Sequence, residues 1–284
     1  MPNVVIEVID VAKVFPDREG RSIRVLEKVT FQVYEGETLV IMGGSGCGKS
    51  TLLNCMIGEF PCDEGQIKLF GQDITEKDEF ELNEIRKQFG ILFQSGALYN
   101  SMTVGENVAL PLIEHSSLDR SVVDIIVMMK LEQVKMLAHR DKMPAQLSGG
   151  QKKRAGLARA TALDPKVLFY DEPSAGLDPV TVAAIDDLMI SLSKRLGVTS
   201  VVVTHDMSSA FRIADRMIML HAGRVLKIGP TDEFDKLRDA PEGELKNGDE
   251  RLIRQFLLGE GKGPLTDQEG MSEYEKIMSM GFAV

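Results

Sequence analysis

At 284 residues the chain is long enough for one large domain or two modest ones. Its formal net charge of −10 argues against nucleic-acid binding, because a phosphate-backbone binder needs a positive surface to displace counterions. The three cysteines, Cys47, Cys55 and Cys62, are odd in number and form no C-x-x-C pair, so neither a disulfide framework nor a zinc site is indicated and reduced thiols in cytosol are the simplest reading.

The first residues, MPNVVIEVID, lack the basic-then-apolar pattern of a signal peptide. Residues 4–9 and 29–34 cluster β-formers and predict N-terminal strands. ETLVIMGG (37–44) reads as a short apolar strand stopping at glycine, and KSTLLNCMIG (49–58) as the helix after it. From about 83 to 160 the pattern is mostly helical, which predicts an inserted helical lobe. No strictly apolar run exceeds five residues (IIVMM, 125–129), whereas a spanning helix needs about 20, so a membrane role is expected to come through a partner. Lys152, Lys153 and Arg154 form the only compact basic run, expected on the solvated face of a helix.

KVLFYDE (166–172) and TSVVVTH (199–205) are β-rich runs without alternation, as expected for strands buried on both faces of a parallel sheet. Between them lies a predicted helix with Asp178 as N-cap, Pro179 at the first position, Ile185, Leu188, Leu192 and Leu196 on one face, and Gly197 as the stop. Strand, helix, strand is a parallel crossover unit. RMIMLHAGRVLKIG (216–229) predicts a late hairpin. Beyond about 240 the chain turns Gly- and charge-rich around RLIRQFLLG (251–259), where Leu252, Ile253, Phe256 and Leu257 fit one apolar helix face. That face serves either self-association or packing onto the chain's own domain.

Gly43-Gly44-Ser45-Gly46-Cys47-Gly48-Lys49-Ser50 matches G-x-x-x-x-G-K-[ST] and sits between a predicted strand and a predicted helix, the context this phosphate-binding loop requires. Its glycines let backbone N–H groups curl around phosphate oxygens at a helix N-terminus. Lys49 would reach the β- and γ-phosphates and the Ser50 hydroxyl would ligate Mg²⁺. Cys47 is compatible with backbone contact and takes no redox role. Asp171 closes a buried strand, where ligands of open α/β sheets collect, and is expected to hold Mg²⁺ either directly or from behind its ligands. Glu172 follows with its side chain on the other side and could act as general base on a water in line with the γ-phosphate. His205 closes the next strand; a histidine there is commonly structural, but its company argues for a place near the phosphate. LSGGQKKR (147–154) is a second glycine-rich helix start without the Gly-Lys-Ser/Thr ending, so it does not duplicate the first.

The phosphate loop, Gln94 in ILFQSG, then LSGGQ, VLFYDEP, SAGLDP and VVVTHD occur in the order and spacing of the ATP-binding cassette (ABC) family, which the chain resembles over roughly residues 4–230. The resemblance implies an α/β fold, a P-loop NTPase (RecA-like) core with an N-terminal antiparallel β-subdomain and an inserted α-helical subdomain. A cassette over 1–240 and a C-terminal extension over 241–284 that reaches toward a second copy are expected. The cofactors implied are ATP and Mg²⁺, contacted by Gly43, Ser45, Gly46, Cys47, Gly48, Lys49, Ser50 and Thr51. Gln94 would sense Mg²⁺ and the attacking water, Phe15 would either stack on adenine or serve as a core aromatic, and Asp178 would lie at the dimer seam.

The family also implies that two copies pair head to tail, with Ser148, Gly149, Gly150 and Gln151 completing the neighbour's site. Residues 93–115, VMMKLEQV (127–134) and 254–265 resemble the ATPase subunits of MCE-type (Mla-like) phospholipid transporters. That likeness implies an integral membrane permease gripped near Leu98 and Tyr99, an MCE-type substrate-binding protein, and a location at the cytoplasmic face of the inner membrane. The ATPase of a polar-solute importer or a lipoprotein exporter is an alternative. A soluble ABC ATPase acting on DNA or ribosomes is disfavoured, because such chains usually carry two cassettes or a long coiled-coil insertion.

Overall fold

The computed structural model describes residues 3–16, 21–261 and 263–267. Two units divide the chain, Met1–Ile228 and Gly229–Val284, with the division ahead of the boundary expected at 240.

In the first unit β1 (Val4–Pro16) and β2 (Ser22–Tyr34) form an antiparallel ladder from Val4↔Tyr34 to Pro16↔Ser22. Both strands outrun the expected 4–9 and 29–34. The excess escapes pattern reading because the register shifts repeatedly and Asp10 and Lys28 take left-handed φ of 49° and 48°, so bulges break the alternation that marks a strand. On the other side of β1 lie β4 (Glu64–Leu69) and then the short β5 (Gln72–Asp73), giving a four-stranded sheet in the order β2-β1-β4-β5.

A second sheet comprises β3 (Thr38–Met42), β6 (Phe89–Leu92), β7 (Val167–Asp171), β8 (Thr199–Thr204), β9 (Arg216–His221) and β10 (Arg224–Pro230) in the order β10-β9-β3-β8-β7-β6. β3 pairs in parallel with β8 and β9, and β7 with β6 and β8. Every residue of β3 and β8 is buried, which is why these strands read as β-rich runs without alternation. The carboxyl ends of β3, β8 and β7 therefore stand side by side. Ala222 and Gly223, both left-handed, turn β9 into β10 as a two-residue hairpin requires.

The segment 83–160 is not helical throughout. It opens on the end of α2 (Glu79–Arg86), and β6 then adds a strand to the parallel sheet. Four residues are too few to show a period, so β6 is lost between helical neighbours. The helical lobe proper comprises α3 (Val104–His115), α4 (Arg120–Gln133) and α5 (Gly149–Ala160), which pack on one another. α1 (Lys49–Met56) follows β3. α6 (Pro179–Leu196) begins with the Asp178 cap and ends at left-handed Gly197, burying Ile185, Leu188 and Leu192 while Leu196 is half-buried in the last turn. α7 (Met207–Ile213) starts at the Asp206 cap.

The second unit holds α8 (Thr231–Asp239), α9 (Gly248–Leu258) and α10 (Pro264–Asp267). Leu252, Ile253 and Leu257 are buried, but Phe256 is only half-buried, and Gln255 is buried instead. Its amide is satisfied there, accepting from the Leu265 N–H at 2.7 Å and donating to the Glu260 carbonyl at 3.0 Å. Most of this face is thus covered within the chain. The rest of the expected tail contact, residues 268–284, lies outside the described residues. Among the described residues no helix is long and apolar enough to cross a membrane.

Candidate active site

β3 delivers the chain to Gly43, whose φ is 155° and where a Cβ would lie 2.2 Å from the Leu220 carbonyl oxygen, so only glycine fits. The loop continues through Gly46 and Gly48, both left-handed, and Gly48 caps α1 without any side-chain acceptor. The first N–H groups of α1 are therefore open to an anion. Lys49 is buried, and its Nζ donates to the carbonyls of Gly43 at 2.8 Å and Gly44 at 2.9 Å. Its ammonium stands at the rim of the cradle. Ser45 and Ser50 are exposed and Thr51 is half-buried. Cys47 is buried, and burial pushes its thiol up, which keeps it protonated and inert.

Asp171 ends β7, and its Oδ1 is buried without a hydrogen-bond partner. Burial, helped by the charge of Glu172, raises its pKa, with Lys153 and Lys49 opposing. An orphaned carboxylate oxygen close to Lys49 and the phosphate loop fits a hard divalent cation, which takes carboxylate, hydroxyl and phosphate oxygens as ligands. Ser50 would supply the hydroxyl.

Glu172 is a left-handed residue, φ 46°, so a turn rather than strand alternation aims its side chain. Its N–H donates to the Val203 carbonyl at 2.9 Å, continuing the β7–β8 ladder. His205 Nδ1 lies 2.9 Å from Glu172 Oε2, and the His205 N–H donates to the same oxygen at 3.4 Å. The Glu172 side chain is 13% exposed and that of His205 64%. Lys49, Asp171, Glu172 and His205 thus gather at three adjacent strand ends. Gln94 is exposed in the turn after β6, one strand further along, and no described hydrogen bond ties its side chain to them.

The other expected contacts stand apart. Ser148 caps α5 in a reciprocal box: its Oγ accepts from the Gln151 N–H at 3.3 Å, and Gln151 Oε1 accepts from the Ser148 N–H at 2.9 Å. Gln151 Nε2 lies 3.1 Å from His139 Nε2. Ser148 and Gly149 are exposed, Gly150 is buried, and no described bond joins this turn to the chain's own phosphate loop. Asp178 is spent on α6: its Oδ2 accepts from the Thr181 hydroxyl at 2.5 Å and its Oδ1 from the Thr181 and Val180 N–H groups at 3.1 Å. The Thr181 bonds hold its carboxyl below the usual range. Phe15, at the end of β1, is half-buried, with Phe60 edge-on at 5.6 Å and the Lys13 ammonium 5.3 Å from its ring centroid.

Lys152, Lys153 and Arg154 do not form a solvated face. Lys152 and Arg154 are half-buried, and Lys153 is 4% exposed with its Nζ donating to the Glu172 carbonyl at 2.9 Å. Burial lowers its pKa to about 8, against the pull of Asp171 and Glu172. The available signal was its place between Gly150 and Leu157 on the buried stripe of α5.

Between α2, β6, α3 and α5 runs a groove of about 420 Å³ lined by Ile57, Phe89, Phe93, Pro111, His115 and Arg159 among others. Beside it buried Asn107 clamps the preceding loop: Oδ1 accepts from the Tyr99 N–H at 2.7 Å, and Nδ2 donates to the Thr103, Tyr99 and Met102 carbonyls at 2.8, 3.1 and 3.2 Å. Tyr99 is left 53% exposed, while Leu98, expected at the surface with it, is half-buried.

A family model described as "ABC transporter" matches residues 26–175. The intermembrane phospholipid transport system ATP-binding protein MlaF of Escherichia coli K12 is 37% identical over 281 residues, covering 99% of this chain and 100% of that one. The probable ribonucleotide transport ATP-binding protein mkl of Mycobacterium leprae is 40% identical over 278 residues, 98% of this chain and 74% of the relative. Among solved structures, the dimeric ATP-binding cassette MJ0796 in a post-hydrolysis state with ADP and Pi is similar with a TM-score of 0.74, 33% identity, and coverage of 80% of this chain and 98% of that one.

Proposed function

Because the chain belongs to the ABC transporter family, we propose that it is the ATP-hydrolysing subunit of a phospholipid transporter, paired head to tail with a second copy beneath an integral membrane permease at the cytoplasmic face of the inner membrane. The observation that carries the pairing is the split site: cradle, Asp171 and Glu172 lie together, while the helix start at Ser148, exposed with Gly149, has no described bond to its own cradle. It is shaped for a phosphate that another copy holds. The phospholipid reading rests on the MlaF relatives, which match nearly the whole chain.

In this reading Lys49 exchanges the Gly43 and Gly44 carbonyls for the β- and γ-phosphates of ATP. Glu172 accepts a proton from a water as that water's oxygen bonds to the γ-phosphorus and the bond to the β–γ bridging oxygen breaks, yielding ADP and inorganic phosphate. His205 orients the Glu172 carboxylate. Phe15 stacks on adenine, and Asp178 lies at the seam of the pair. Ser50, Asp171 and Gln94 would hold Mg²⁺, which would supply positive charge against the phosphate oxygens. The groove beside Tyr99 is the seat for a permease segment, and an MCE-type protein would carry the lipid beyond the membrane.

The test is phospholipid movement by the complex that copurifies from detergent-solubilised membranes, reconstituted in lipid vesicles. ATP-dependent transfer of labelled phospholipid to acceptor vesicles is expected. The mkl relative, named for ribonucleotide transport, favours a second reading: a complex that moves no lipid but hydrolyses ATP in response to a polar solute would establish a solute transporter instead.

A further inference from the structure

We propose that Lys153 is a positioning residue for ATP hydrolysis, whose buried ammonium on α5 holds the left-handed Glu172 peptide so that the Glu172 carboxylate faces the phosphate cradle. The proposal rests on Glu172 being the general base.

Two observations carry it. The first is strain: Glu172 holds a φ of 46°, a region that residues with a Cβ populate sparsely and keep only where the surroundings over-determine it. Its N–H is fixed by Val203 on β8 and its carbonyl by Lys153 Nζ at 2.9 Å, so the peptide groups on both sides of the Cα are clamped by different elements. Without the lysine one clamp is gone, and the side chain's direction is no longer determined to the tenths of an ångström that proton transfer to a carboxylate requires.

The second is charge. Lys153 is 4% exposed, and a buried ammonium is tolerated only where carbonyls and carboxylates compensate it. Here it faces Asp171 and Glu172. A lysine needed only to fill the helix face would carry its charge to water. The same helix begins at Ser148, so the contact ties the segment that completes a partner's site to the base of its own chain.

The experiment is a double-mutant cycle with Lys153→Met, which keeps the length of the side chain, and Glu172→Gln, read as ATP hydrolysis under single-turnover conditions together with the KM for ATP. Lys153→Met is expected to lower kcat roughly 10- to 100-fold, the scale of one lost charged hydrogen bond, with KM and nucleotide binding unchanged. In the Glu172→Gln background it should cost nothing further, because the group it positions is already gone. If Lys153→Met does not fold, Lys153→Gln, which keeps a donor, goes through the same cycle with a smaller expected loss. Wild-type kcat in the folded variant, or an equal fold-loss in both backgrounds, would overturn the proposal. Near-normal turnover of Glu172→Gln alone would instead overturn the general-base reading, so the two failures are distinct.

Discussion

His205 Nδ1 lies 2.9 Å from Glu172 Oε2, and the backbone N–H of His205 points at the same oxygen. One strand end thereby orients the carboxylate presented by the next. Glu172→Gln should slow hydrolysis by roughly 10² to 10⁴, the range for a lost general base, while ATP binding persists and ATP traps a dimer. His205→Ala should lower kcat less, since the backbone bond to Oε2 remains. Phosphate release and size-exclusion chromatography with ATP are the measurements. Normal turnover of Glu172→Gln would move water activation elsewhere, His205 first.

Asp171 makes a pH prediction whose sign follows from its raised pKa. As pH rises, the unfolded carboxyl ionises near its ordinary value of about 3.9, while the folded one stays protonated longer. Between the two values the folded state binds more protons, so stability falls as pH rises through that window and does not return above it. Asp171→Asn removes the charge. Its nucleotide-free form should melt higher than wild type at pH 7, with the difference shrinking toward pH 4, even though the variant hydrolyses no ATP. Thermal melts across that range decide it, and a lower melting temperature at pH 7 would contradict the assignment.

Lys49→Ala chains and Ser148→Arg chains should each be inactive. Lys49 is the cation at the cradle, and in the proposed pair Ser148 begins the helix start that completes the other copy's site. Mixed, they should recover part of the activity, because one composite site in each mixed dimer has both halves intact. Full activity of Ser148→Arg alone would rule out a shared site. Failure to recover in demonstrated mixed dimers would weaken it.

Tyr99, 53% exposed on a loop clamped by Asn107, should be where a permease contact is lost. Tyr99→Asp places a charge that must be desolvated without a counter-ion, typically at a cost of several kcal/mol. Copurification of the membrane partner should fail while nucleotide affinity stays at the wild-type value, because the phosphate cradle is elsewhere. Retention of the partner would show that the groove docks something else, or nothing.

Local signals were enough for the phosphate loop, the buried parallel strands and the α6 caps, because each is set by neighbouring residues: glycines that turn, β-branched runs buried on both faces, an Asp-Pro start and a Gly stop. Contacts between distant segments were not legible in this way. The strands of the N-terminal sheet outran their pattern because bulges at Asp10 and Lys28 erase the alternation, and β6 was too short to carry one. Lys153 read as a solvated charge, although its spacing from Gly150 and Leu157 sets it on the buried stripe of α5, because a sequence names no partner for a buried ammonium. Only packing α5 against the end of β7 places its ammonium on a carbonyl nineteen residues away, and only there does burial make a lysine part of the site.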